Sequence, residues 1–175
     1  MQLGVRDGLE LVFVERIRSK DSVPLLTRVG GRFTLPATGL GLALLAHAPP
    51  HVQDEVCALP LERFTDHTIT DPAHLRRLLA EIRRTRIAVS DRQINLGTVS
   101  VAAPIFDKTN TVRAAISVVV DAGTARPHAL TPLLKTAALS IGRALSPPLR
   151  ISSPHHARST VGQDLPASAE SQEAT

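Results

Sequence analysis

The Asp7-Gly8 pair, set between two runs rich in β-formers (LGVRDGLELVFVERI), constrains the fold more than any other feature of this chain. Asp-Gly flanked by alternating apolar residues is the strongest short signal for a two-stranded hairpin, because the turn needs a positive φ that glycine supplies without strain. Two antiparallel strands therefore open the domain. A third strand is expected over VPLLTRV, 23–29, ending at Gly30-Gly31.

From Leu35 the pattern changes. ATGLGLALLAHA is apolar on every side, as expected of a helix packed against a sheet or another helix, and Pro49-Pro50 stops it. HVQDEVCALP is a weaker helix candidate. DPAHLRRLLAEIRRTR is well specified: Thr70 or Asp71 caps it, Pro72 sits in its first turn, and Leu75, Leu78, Leu79 and Ile82 form one stripe. IAVSD (87–91), GTVSVAAPIFD (97–107) and VRAAISVVVD (112–121) read as strands, the last two joined by the polar turn KTN. Pro104 implies an edge or a bulge, since proline cannot donate to a ladder. TPLLKTAALSIGRALS, 131–146, is a helix with Thr131 as cap and Pro132 in its first position. The order gives an α+β domain with an antiparallel sheet flanked by helices over 1–148. Residues 149–175 carry no apolar period and read as a disordered tail.

With 43% apolar residues, the 175-residue chain can bury one substantial core, and with four Phe and no Trp or Tyr that core is aliphatic. Base-stacking surfaces are disfavoured for the same reason. The net charge of +4 is spread along the chain. Arg83, Arg84 and Arg86 are the one basic cluster, placed to complement a helix C-terminus. A single cysteine, Cys57, excludes an internal disulfide, and no signal-like start or bilayer-length apolar run is present, so a cytoplasmic protein without membrane contact is expected.

The chemical motifs are thin. His47 and His51 have zinc-like spacing, but Pro49-Pro50 between them breaks the helical face. His155-His156 has no ligand partner nearby, and Cys57 has no base in sequence reach and suits a buried apolar role. GLGLA follows no strand of a βαβ unit and lacks the third glycine of a dinucleotide fingerprint. No metal, cofactor or catalytic residue is expected. One feature favours binding: Ala37, Thr38, Gly39 and Leu40 open a helix after a glycine-rich loop, and free N–H groups there attract anions.

Taken together, VRDGLELVFVERI, GGRFTLPATGLGLALLA, TITDPAHLRRLLAEIRRTRIAVSD and GTVSVAAPIFDKTNTVRAAISV resemble, in order and spacing, the effector domain of the IclR transcriptional regulators. The resemblance spans roughly residues 2–146, and VAAPIFD followed by AAISV is its most specific part. It implies a GAF-like, six-stranded antiparallel sheet flanked by helices with a pocket on one face, self-association as dimer or tetramer, and a small-molecule effector. It also implies operator binding through an N-terminal winged helix-turn-helix, for which the residues before Gln2 leave no room.

By the same resemblance the effector meets Thr38, Gly39 and Leu40 at the helix start, and Ser90, Ser100, Ser117 and Val119 on later strands. Relatives that take small oxo-acids typically have Asp, Cys and Ser at the first, second and last of these strand positions. Leu42 and Gln93 stand where relatives have Lys and Glu. Ser90 and Val119 make the pocket less able to satisfy a very polar ligand, which points to a larger, partly apolar or aromatic carboxylic acid, with Arg32 as its counter-ion. A stand-alone GAF-like binding or dimerisation module with no DNA role is the alternative, and an enzyme using Cys57 or a histidine is a third reading.

Overall fold

The computed structural model describes residues 1–18, 23 and 28–145. The hairpin forms as the sequence requires. Strand β1 (Gln2–Asp7) pairs antiparallel with β2 (Glu10–Arg16), Asp7 faces Glu10, and Gly8 supplies φ 59° at the first turn position. β3 is Arg32–Thr34, followed by helices α1 (Gly39–Ala46), α2 (Pro50–Ala58) and α3 (Pro72–Thr85). β4 (Ala88–Asp91), β5 (Thr98–Phe106), β6 (Val112–Asp121) and α4 (Pro127–Ala144) complete the described chain. The six strands form one antiparallel sheet in the order β3-β2-β1-β6-β5-β4, the α+β architecture expected.

The sheet has two covered faces. On one, all eight residues of α1 are buried, because the helix lies on β1, β4, β5 and β6 and is covered from outside by α3 and α2. That is why the helix is apolar all round. α3 presents Leu75, Leu79 and Ile82 to this core, a burial that stabilises by about 1.5–3 kcal/mol per side chain. Asp71 caps it, accepting from the N–H groups of Ala73 and His74. On the opposite face α4 packs Leu134 and Ala138 against Val101, Ala103, Ile105 and Ile116. Cys57 is buried in the first core.

Two expectations need correction, and a third, the edge or bulge at Pro104, is met. Much of the strand expected over 23–29 lies outside the described residues, and Arg28 and Val29 are not in a strand; the third strand comes after Gly30-Gly31. The glycine pair starts it, with Gly30 N donating to Phe13 O (2.7 Å) and Phe13 N to Gly31 O (3.0 Å). The C-terminal helix begins at Pro127, not at Thr131. Pro127 occupies the first turn, where a missing N–H costs nothing, while Pro132 lies inside the helix and the Thr131 hydroxyl bonds back to the Pro127 carbonyl (3.0 Å). Pro104 sits in an inner strand, but β4 pairs only with Val99–Ala102, so β5 is a local edge at the proline, and its ladder to β6 shifts register between Ile105 and Phe106. The tail expected over 149–175 lies outside the described residues.

Candidate functional site

The antiparallel register places the strand residues singled out in the sequence on one face. Ser90 faces Ser100 and Ser100 faces Val119, so the three make a row across β4, β5 and β6. The adjacent row on the same face is Ala88, Ala102, Ser117 and Gln2. α1 starts over the first row: a Cβ on Gly39 would lie 2.7 Å from Ser100 Oγ, so a side chain there would force the serine or the helix start to move. Between the helix start, the first row, the turn after β2 and the loop after β4 lies a cavity of about 290 Å³.

Thr38, Gly39, Leu40, Ser90, Ser100 and Val119 all line this cavity. Arg32 lines its rim, but the guanidinium is engaged elsewhere, with Nη2 on Asp7 (2.5 Å) and Nη1 on Glu10 (2.9 Å). Ser117 is fully buried and does not line the cavity. Its hydroxyl has no hydrogen-bond partner among the described residues.

Other lining residues escaped the sequence reading: Gln2, Phe13, Arg28, Phe33, Ile94 and Asn95. Gln93, noted only as a departure from relatives, lines it too. Gln2 and Phe13 had a readable signal, since a glutamine at an inward strand position and a rare phenylalanine in an alternating strand are both unusual here. The loop residues had none. The loop carrying Gln93 is braced from a distance: Thr65 Oγ1 donates to Arg92 O (2.7 Å) and Thr68 Oγ1 to Gln93 O (2.6 Å).

The hydrogen bonds already made decide what the walls can offer. Ser90 Oγ donates to Ala37 O (3.0 Å), which leaves only its lone pairs. Thr38 caps α1, its Oγ1 accepting from Gly41 N (2.9 Å), which leaves its proton for a ligand. Gln93 Oε1 accepts from Ile69 N (3.4 Å), and Asn95 Oδ1 accepts from Gly97 N and Thr98 Oγ1 (3.0 Å each). Both amides therefore keep NH2 groups that are not engaged by any described residue. The N–H groups of Gly39 and Leu40, first in α1, have no acceptor among the described residues, and no acidic residue occupies that first turn. Among the described residues no Asp or Glu lines the cavity. The walls are rich in donors and free of acid, around an apolar body of Phe13, Phe33, Leu40, Ile94 and Val119.

Elsewhere the chemistry is structural. His47 Nδ1 donates to Ala43 O (3.0 Å), and burial lowers the ring's pKa, as do Arg86 and Arg83. Arg83 serves α1's C-terminal carbonyls, donating to Ala46 O (3.3 Å), and Arg86 lies over the Phe106 ring (4.6 Å). Among the described residues no three His, Cys, Asp or Glu side chains come together as a metal site, and no helix is long and apolar enough to cross a membrane.

Residues 1–143 match the family model described as bacterial transcriptional regulator IclR C-terminal. The HTH-type transcriptional regulator BhcR of Paracoccus denitrificans is 38% identical over 117 residues, 66% of this chain and 42% of its own length. Among solved structures, an IclR homolog from Microbacterium hydrocarbonoxydans, complexed with 4-hydroxybenzoate, superimposes with TM-score 0.77 at 38% identity, covering 81% of this chain and 58% of that one. The Thermotoga maritima IclR superimposes with TM-score 0.78 at 30% identity, covering 82% and 60%. The chain spans less than half the length of curated relatives such as BhcR.

Proposed function

The chain belongs to the IclR family of bacterial transcriptional regulators, matching its C-terminal domain, and on that premise we propose that it is the effector-sensing and self-associating part of such a regulator. Its effector is a small organic acid with an apolar or aromatic body. The observation that carries this reading is the donor-rich, acid-free wall of the cavity. An acceptor-rich, anionic group is what satisfies Gly39 N–H, Leu40 N–H, the Thr38 hydroxyl and the amides of Gln93 and Asn95 together. The serines supply little charge, while Phe13, Leu40 and Val119 suit an apolar body. The 4-hydroxybenzoate complex of the Microbacterium hydrocarbonoxydans homolog supports an aromatic acid as the class.

In this reading the effector shifts the population of dimer or tetramer arrangements, and a DNA-binding domain N-terminal to these residues presents itself differently to an operator in the cytoplasm. No residue is assigned a catalytic role. Thermal-shift and calorimetric titration with 4-hydroxybenzoate and 4-hydroxybenzamide tests the site. The acid should raise the melting temperature, with ~2.7 kcal/mol of added stability at ~100 times its Kd. Equal binding of acid and amide removes the anion reading. Light scattering during size exclusion, with and without the acid, tests the assembly; a monomer throughout removes that part.

A further inference from the structure

We propose that Arg28 is the residue by which this cavity distinguishes an ionised effector from its neutral analogue; the proposal rests on the effector-site reading above. Two arginines reach the cavity, and they are not equivalent. Arg32 is neutralised by two carboxylates, Asp7 and Glu10, both outside the cavity. A ligand carboxylate there would compete with two anions already in place. Among the described residues Arg28 has no ion-pair or hydrogen-bond partner for its guanidinium, and none of those that line the cavity is acidic. It is the cavity's one cation without a counter-charge among the described residues.

The backbone holds it in that position. Gly31 N donates to Arg28 O (2.9 Å), Gly30 takes φ 77°, and the turn is tied to Phe13, itself on the cavity wall, by hydrogen bonds on both sides. A Cβ on Gly31 would meet Arg28 O at 2.9 Å and Arg28 Cγ at 3.4 Å. The glycine thus lets the arginine stem lie against the turn, so less side-chain freedom is lost on binding. With the N-terminus of α1 contributing positive potential to the same space, an anion meets a field of one sign.

The test is calorimetric titration of benzoate and benzamide into the wild-type chain, Arg28→Gln and Arg32→Gln. Arg28→Gln should weaken benzoate by about tenfold, the scale of one charge-assisted contact, and leave benzamide unchanged. Arg32→Gln should preserve the benzoate-to-benzamide ratio, and Arg28→Lys should recover part of it. An unchanged ratio in Arg28→Gln, with benzoate still preferred by the wild type, overturns the role of Arg28 and leaves the site standing. A wild type that binds neither probe, or both equally, overturns the effector-site reading and this proposal with it.

Discussion

The Ser90 hydroxyl donates to the Ala37 carbonyl across 53 positions of the chain, at 3.0 Å. This bond ties the middle of β4 to the turn that launches α1. The helix cap, the cavity floor and the sheet are thereby held as one unit, because Ala37 precedes the capping Thr38 directly. An ionised carboxylate at this position could not donate to a carbonyl, so the hydroxyl does a structural job here.

Ser90→Ala leaves the buried Ala37 carbonyl without its partner. Stability should fall by about 1–3 kcal/mol, read as a lower urea midpoint with unchanged slope. Effector affinity should fall as well, since the start of α1 loses its anchor. A variant as stable as the wild type would mean that water replaces the hydroxyl.

Gly39→Ala should cost more at the site than in the fold. Its Cβ would sit 2.7 Å from Ser100 Oγ and 3.2 Å from Ser100 Cβ, so the helix start must move away from β5 or the serine must rotate into the cavity. Overpacking of this kind costs about 1–3 kcal/mol. Ser100→Ala removes the nearer atom, so the double variant should recover part of the loss in both stability and binding. Strict additivity of the two substitutions would refute the contact.

Much of this arrangement was legible in the sequence, and the failures share a cause. The Asp7-Gly8 hairpin, the stripe of α3 and the strands over 98–106 and 112–121 are local patterns, and they stand where periodicity put them. Gly30-Gly31 opens β3 rather than closing a strand, since a glycine pair marks a turn without saying which side carries the strand. Arg32 looked like a counter-ion because Asp7 and Glu10, 25 and 22 positions away, become its neighbours only when β3 pairs with β2. Ser117 shares an inward face with Ser100, yet Ser117 is fully buried and only Ser100 lines the cavity. The Thr65 and Thr68 bonds that hold the Gln93 loop have no sequence signature at all.

His47 gives the fold a pH dependence. Burial first, then the charges of Arg86 and Arg83, make the folded ring harder to protonate than the unfolded one, while the bond to Ala43 opposes them in part. Well above pH 6.5 the ring is neutral in both states and carries no penalty. As pH falls below that, the unfolded chain takes up the proton first and stability declines until the folded ring also protonates. His47→Asn keeps a donor for Ala43 and cannot titrate. The gap between variant and wild-type denaturation midpoints should therefore shift in the variant's favour from roughly pH 7 to 5, and parallel curves would exclude His47 as the cause.

Gly142 separates stability from binding. It lies in α4, on the face of the sheet opposite the cavity, where a Cβ would overlap the carbonyl of Phe106. That carbonyl belongs to the backbone of β5, next to the register shift, so it cannot swing aside as a side chain could. Gly142→Ala should therefore push the end of α4 off the sheet and lower stability by about 1–3 kcal/mol. The cavity is built from α1 and the other face, so the affinity for an aromatic carboxylate should stay within twofold of the wild type, about 0.4 kcal/mol. A larger change in affinity at equal ligand saturation would show that α4 and the cavity communicate through β5, the strand that carries both Phe106 and Ser100.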